Sequence, residues 1–178
     1  SLANSNAAGF LINVPNKSGT SWNSRDIKAW SADVAKPEII PNQNDAKKNT
    51  EIIRKAGLYF GADQVGFCML DRRWVYSHYY DSTKKASFPI KFSDEEGYEK
   101  YTKPQQLQDG TQVIPKEMKY VIVFIHEMDY LGMKTAPRLN AMAITMSVYS
   151  KIAFTTMSIA EFIRGLGYNA IPSANCTA

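Results

Sequence analysis

Between Leu139 and Ala160 the only charged residue is Lys151, and this stretch limits the fold more than any other. Helical patterning runs from about residue 136 to 166. Thr135 reads as its cap, Pro137 falls in the first turn where a missing N–H costs little, and Gly167 is the stop. A helix so poor in charge has to be covered on most sides. Asn140, Thr145, Ser147, Tyr149, Ser150, Thr155 and Thr156 nevertheless make it too polar for a bilayer, and no run of about 18 consecutive apolar residues occurs anywhere in the chain. Such a helix belongs in the middle of a larger protein.

Other elements are set by spacing. A helix is expected to start around Asp45, because Ile52, Ile53, Ala56, Tyr59 and Phe60 share one face and Gly61 supplies the stop. Gln64 to Leu70 reads as a buried strand. Tyr120-Val121-Ile122-Val123-Phe124-Ile125 is a continuous β-branched and aromatic run that predicts a central strand covered on both faces. Between Asp71 and Lys119, stretches such as Ser93-Asp94-Glu95-Glu96-Gly97 and Gln108-Asp109-Gly110-Thr111 read as excursions over the surface. The first 44 residues, rich in Asn, Ser, Pro and Ala, are expected to wrap irregularly, with a short strand at Gly9 to Val14 and anchors at Trp22 and Trp30. With 178 residues there is room for one hydrophobic nucleus. The expectation is an α+β domain in which a long buried helix, about 136–166, packs on a small sheet.

Several function classes have no motif behind them. The net charge of +4 comes from scattered lysines without a basic run, so a nucleic-acid footprint is not expected. There are two cysteines, Cys68 and Cys176, with no C-x-x-C spacing. A cubane cluster takes four thiolates, so any such cluster must lie outside this chain. No G-x-G-x-x-G, P-loop or G-x-S-x-G is present. His78 and His126 lack a partner spacing and are read as packing or surface residues. The opening from Ser1 to Ala8 lacks the features of a signal peptide, and both ends read as cut edges.

Two places could carry chemistry. Thr145 and Tyr149 are four apart on the long helix, so their hydroxyls can meet over one cavity; the alternative is that both are ordinary buried polar residues satisfied by a backbone carbonyl. After that helix, Gly167-Tyr168-Asn169-Ala170-Ile171-Pro172-Ser173-Ala174-Asn175 leads into a Pro-bearing turn that ends in an amide side chain. Loops of this kind often carry function, although Asn175 could merely take a turn conformation.

Five stretches in order resemble the corrinoid- and iron-sulfur-dependent reductive dehalogenases. They are Gly61-Ala62-Asp63-Gln64-Val65-Gly66, Asp71-Arg72-Arg73-Trp74-Val75-Tyr76-Ser77, Glu127-Met128-Asp129-Tyr130, Lys134-Thr135-Ala136-Pro137, and Glu161-Phe162-Ile163-Arg164-Gly165-Leu166-Gly167-Tyr168-Asn169-Ala170-Ile171-Pro172-Ser173 with Asn175. The resemblance spans about residues 50–178. It implies the amino-terminal part of a nitroreductase-like corrinoid-binding domain over 45–178 of a catalytic subunit, with residues 1–44 as the wrapping segment. A reduced cobalt corrinoid (a cobamide) and two 4Fe-4S clusters would act on an organohalide, the clusters being bound by a part beyond Ala178, so that this piece alone is expected to be inactive.

By the same resemblance Tyr149 is the proton donor, Asn175 orients it or holds the halide, and Thr145 lines the substrate pocket. Phenols suit such a role, since an unperturbed tyrosine has a pKa of about 10 and keeps its proton at neutral pH. Lys151 stands where arginine is frequent in the family, and Cys176 where an acidic residue is frequent. Partners implied are an electron donor and a membrane-anchor protein at the periplasmic face of the cytoplasmic membrane, with a homodimer compatible and no nucleic acid. Two alternatives remain open: a related reductase acting on a modified tRNA base, and a non-catalytic corrinoid-binding module.

Overall fold

The structure is a computed structural model that describes residues 45–81, 84–166 and 168–173; the expectations for residues 1–44 and for Asn175 lie outside them. Asp45 caps the first helix, α1 (Ala46–Tyr59), by accepting from the Lys48 N–H at 2.9 Å, which satisfies one of the orphan donors of its first turn. Gly57 is the buried residue of this helix. It lets α1 lie directly on Val65 and Phe124, which a Cβ at this position would meet at 2.8 Å.

Those two residues face each other across an antiparallel pair, β1 (Gln64–Met69) and β6 (Tyr120–Ile125), in the register Val65↔Phe124. The pair is tied beyond both ends. Asp63 donates its N–H to Ile125 O, and Leu70 donates to Lys119 O. The Asp63 carboxylate also accepts from the Glu127 N–H at 2.7 Å.

Two expectations about these strands need correction. In β1 only Val65 is buried, and among the described residues β6 is not a central strand: there it pairs with β1 alone, leaving Tyr120, Val123 and Ile125 exposed. An apolar run signals strand, but burial on both faces also requires neighbours. Among the described residues these come from α1 on one face and from the long helix beside β6.

A second sheet fills the region expected to be surface excursions. It has the order β2 (His78–Asp81), β3 (Ala86–Phe92), β5 (Gln112–Ile114), β4 (Gln105–Gln106), with β3 and β5 parallel and the other pairs antiparallel. Its middle is among the most buried parts of the protein, with Val113 at 0% exposure and Phe92, Ile114 and Pro115 beside it. The alternation Phe88, Ile90, Phe92 was the available signal. Tyr79 stacks on Phe88 at 5.5 Å and donates its hydroxyl hydrogen to the Gly110 carbonyl at 2.9 Å; burial pushes this phenol above its ordinary pKa.

A one-turn helix, α2 (Tyr130–Met133), precedes the 27-residue α3 (Leu139–Gly165). Here too the sequence expectation shifts. Thr135 does not cap the long helix: its hydroxyl donates to the Gly132 carbonyl at 2.7 Å, and the N–H groups of residues 134–136 close turns onto α2. Pro137 therefore precedes the helix, whose N-cap is Arg138. One face of α3 buries Val148, Thr155 and Ile159, and Ala153, Thr156 and Ala160 extend it; Leu139, Met142 and Phe154 are exposed, so its burial is less complete than expected. Thr155 is 1% exposed and donates to the Phe60 carbonyl at 2.9 Å, stitching α3 to the end of α1. No helix among the described residues is long and apolar enough to cross a membrane. The protein is thus mixed α+β, with small sheets and a long carboxy-terminal helix.

Candidate functional site

Between α3 and β6 lies a cleft of about 510 Å³, within the range of small-molecule sites, about 300–1,000 Å³. Two further parts of the chain border it. Ile152, Thr156 and Ile159 of α3 form one wall, Trp74 and Tyr76 form the rim, and Ala170, Ile171 and Pro172 come back from the end of the helix. The lining is mostly aliphatic. Thr156 adds little polarity, because its hydroxyl donates to the Ile152 and Ala153 carbonyls of its own helix.

The rim is held from below. Asp71 accepts from the Arg73 N–H at 3.0 Å, capping a short 3-10 turn at Arg72–Trp74. Arg72 makes a two-pronged bond to Asp94 at 2.9 and 2.8 Å, and its guanidinium lies 4.0 Å from the Phe92 ring centre. That contact holds the Asp94 carboxyl below the usual carboxylate range, as the Arg73 side chain does for Asp71. With the turn pinned to the end of β3, Trp74 is left 84% exposed at the mouth of the cleft.

Thr145 and Tyr149 both stand on α3, one turn apart. At 100° per residue they share a stripe with Ile152, Thr156, Ile159 and Ile163. That stripe lines the cleft from Ile152 onward, and Tyr149 and Thr145 continue it one and two turns toward the amino-terminal end, beyond the lining residues. The Thr145 hydroxyl donates to the Ala141 carbonyl at 3.1 Å and also meets Met133 Sδ at 3.8 Å. Tyr149 is half-buried.

Two features had no signal in the sequence. Both ring nitrogens of His126 are shut off from water without a hydrogen-bond partner. Burial pushes this imidazole below its ordinary pKa; Asp63 opposes the shift and Lys151 adds to it. At the far end of α3, Arg164 bonds Glu161 and the Ala170 carbonyl. His78 is exposed, as expected, with Nδ1 3.1 Å from Ser77 Oγ.

Among the described residues no group of three or more His, Cys, Asp or Glu side chains could hold a metal ion. The chain's two cysteines fall short of the four thiolates of a cubane cluster, so its residues do not fit an iron-sulfur centre. To a corrinoid the described residues would offer the apolar lining of this cleft, from both α3 and β6.

No protein-family model matches the chain. Among curated proteins it is similar to the tetrachloroethene reductive dehalogenase of Sulfurospirillum multivorans, 32% identical over 189 aligned positions that cover 95% of this chain and 36% of the relative. It is also similar to proteins of that name from Desulfitobacterium hafniense, 34% identical, and Dehalobacter restrictus, 33% identical, each match covering 72% of this chain and 25% of the relative. The chain spans about a quarter to a third of the length of these relatives.

Proposed function

The chain belongs to the reductive dehalogenase family, and from that premise we propose that it supplies the proton-donating wall of a site where an organohalide is reduced. In the overall reaction a carbon–halogen bond is replaced by a carbon–hydrogen bond, consuming two electrons and one proton and releasing halide. A reduced corrinoid, when bound, would supply the electron-donating chemistry for cleaving the carbon–halogen bond. Tyr149 Oη gives the proton to the carbon that loses halogen. Thr145 borders the substrate, and Asn175 orients the phenol or receives the halide.

The observation that supports this reading is the α3 stripe. Tyr149 continues the same helix face that lines an apolar cleft, so a weakly polar, uncharged substrate can lie against Ile152 with the phenol next to it. A halogenated alkene or alkane has the right character for such a wall. The nitroreductase-like architecture, an association with the periplasmic face of the membrane and a dedicated electron donor belong to the same proposal and rest on the resemblance alone.

Tyr149→Phe in the holoenzyme tests it. The ring stays and only the acidic hydroxyl is lost, so turnover should fall by about 10²- to 10⁴-fold, the usual contribution of a positioned proton donor. The visible spectrum of the bound corrinoid should be unchanged. Normal turnover by this variant would remove Tyr149 from the mechanism.

A further inference from the structure

We propose that Trp74 is a specificity-determining residue of the cleft between α3 and β6, the flat surface on which an unsaturated organohalide lies. The inference rests on the reading of that cleft as the substrate site. The cleft changes character with depth. The buried part of its lining is mostly aliphatic, with Ile114 and Ile159 shut off from water, whereas its mouth is aromatic: Trp74, Tyr76 and Tyr120 are all exposed and all border it. Exposed apolar side chains scattered singly need no explanation, but exposed aromatics gathered at one concavity mark a binding groove.

The two linings select differently. Branched aliphatic side chains present an uneven surface that tests a substrate for size and lack of polarity. An indole presents a broad, flat, polarisable face, and flat partners gain most by lying offset upon it. In a halogenated alkene the carbons of the double bond and their halogens share one plane, so all of these atoms can touch the ring at once. A tetrahedral haloalkane of the same size rests on it through one side only. The aromatic mouth therefore favours the planar compound, which the aliphatic interior does not distinguish.

The ring is held ready for that task. The Trp74 N–H donates to the Asp71 carbonyl at 3.0 Å and the Val75 N–H to the Arg72 carbonyl at 3.1 Å. On the far side the Ile90 N–H donates to the Ser77 carbonyl at 2.8 Å and ties the chain to β3. With the Arg72–Asp94 fork beneath, the backbone is fixed both before and after Trp74. Only the side-chain torsions of the indole remain to be ordered when a substrate arrives, which keeps the entropic cost of binding low.

The test compares trichloroethene with trichloroethane in the holoenzyme, two compounds with the same carbon and chlorine count, one planar and one tetrahedral. Each is measured by its KM, or by its inhibition constant where it is not turned over. Trp74→Leu keeps an apolar side chain and removes the flat face. It should raise the constant for trichloroethene about two- to tenfold and that for trichloroethane by less than about twofold, with kcat near that of the parent. Trp74→Phe, with a smaller flat ring, should fall between the two, and it carries the test if Trp74→Leu does not fold. A merely structural role would not move the ratio of the two constants. Equal changes for both compounds, or no change for either, would overturn the role of Trp74 alone. A parent enzyme that neither turns over nor is inhibited by either compound would remove the substrate-site reading of the cleft and the inference with it.

Discussion

Gly110→Ala is a severe test of the packing around the second sheet. Gly110 has φ +94°, and a Cβ there would lie 2.3 Å from Phe88 Cδ1 and 2.6 Å from Cε1. The ring cannot simply retreat, because it is stacked on Tyr79, whose hydroxyl is bonded to the Gly110 carbonyl. Two costs combine: about 1.5 kcal/mol for an L residue in the left-handed region and about 2 kcal/mol for overpacking. At roughly 2–4 °C per kcal/mol for a domain of this size, the combined cost of about 3.5 kcal/mol lowers Tm by about 7–14 °C. Gly97 provides the control, with φ +89° and nothing within 4 Å of the added Cβ. Gly97→Ala should carry only the backbone cost, about 3–6 °C. Thermal unfolding of both variants, followed by far-UV circular dichroism, separates the two contributions. A Gly110→Ala midpoint no lower than that of Gly97→Ala would refute the close approach of Phe88.

Thr155→Val keeps the volume but leaves the Phe60 carbonyl without its 2.9 Å donor; urea unfolding should show a loss of about 1–3 kcal/mol, and an unchanged midpoint would mean that the carbonyl finds another partner. His126 governs part of the acid sensitivity. Its folded pKa lies below its ordinary value, so as the pH falls below about 6.5 the unfolded chain takes up a proton that the folded chain refuses. Stability should therefore drop from pH 7.5 to 5.5, and His126→Gln should flatten that drop; an equal drop in both proteins would exclude His126 as its source.

Much of the local structure was legible because short-range physics decides it. The first helix starts at Asp45 as the spacing of Ile52, Ile53 and Ala56 implied, and the Tyr120–Ile125 run is a strand. Its exposure was not legible, since coverage depends on what lies beside a strand in space. The second sheet was missed for a different reason. Pro89 and the gap between β3 and β5 break up an alternation that only pairing reveals, and β3 and β5 run parallel across some twenty residues of intervening chain. At the candidate site, spacing put Thr145 and Tyr149 on one face, and the alternative of a hydroxyl satisfied by a backbone carbonyl holds for Thr145, which donates to Ala141 O. Spacing could not show which carbonyl Arg164 would seek.

From Leu139 to Arg164 the long helix contains neither glycine nor proline, the usual sites of a kink. It therefore behaves as a lever. The Tyr149 and Arg164 ends cannot be adjusted separately, because tilting one by about 3° carries the other, about 22 Å away, through about 1 Å. A displacement of the cleft wall would be transmitted along the rod to both ends at once.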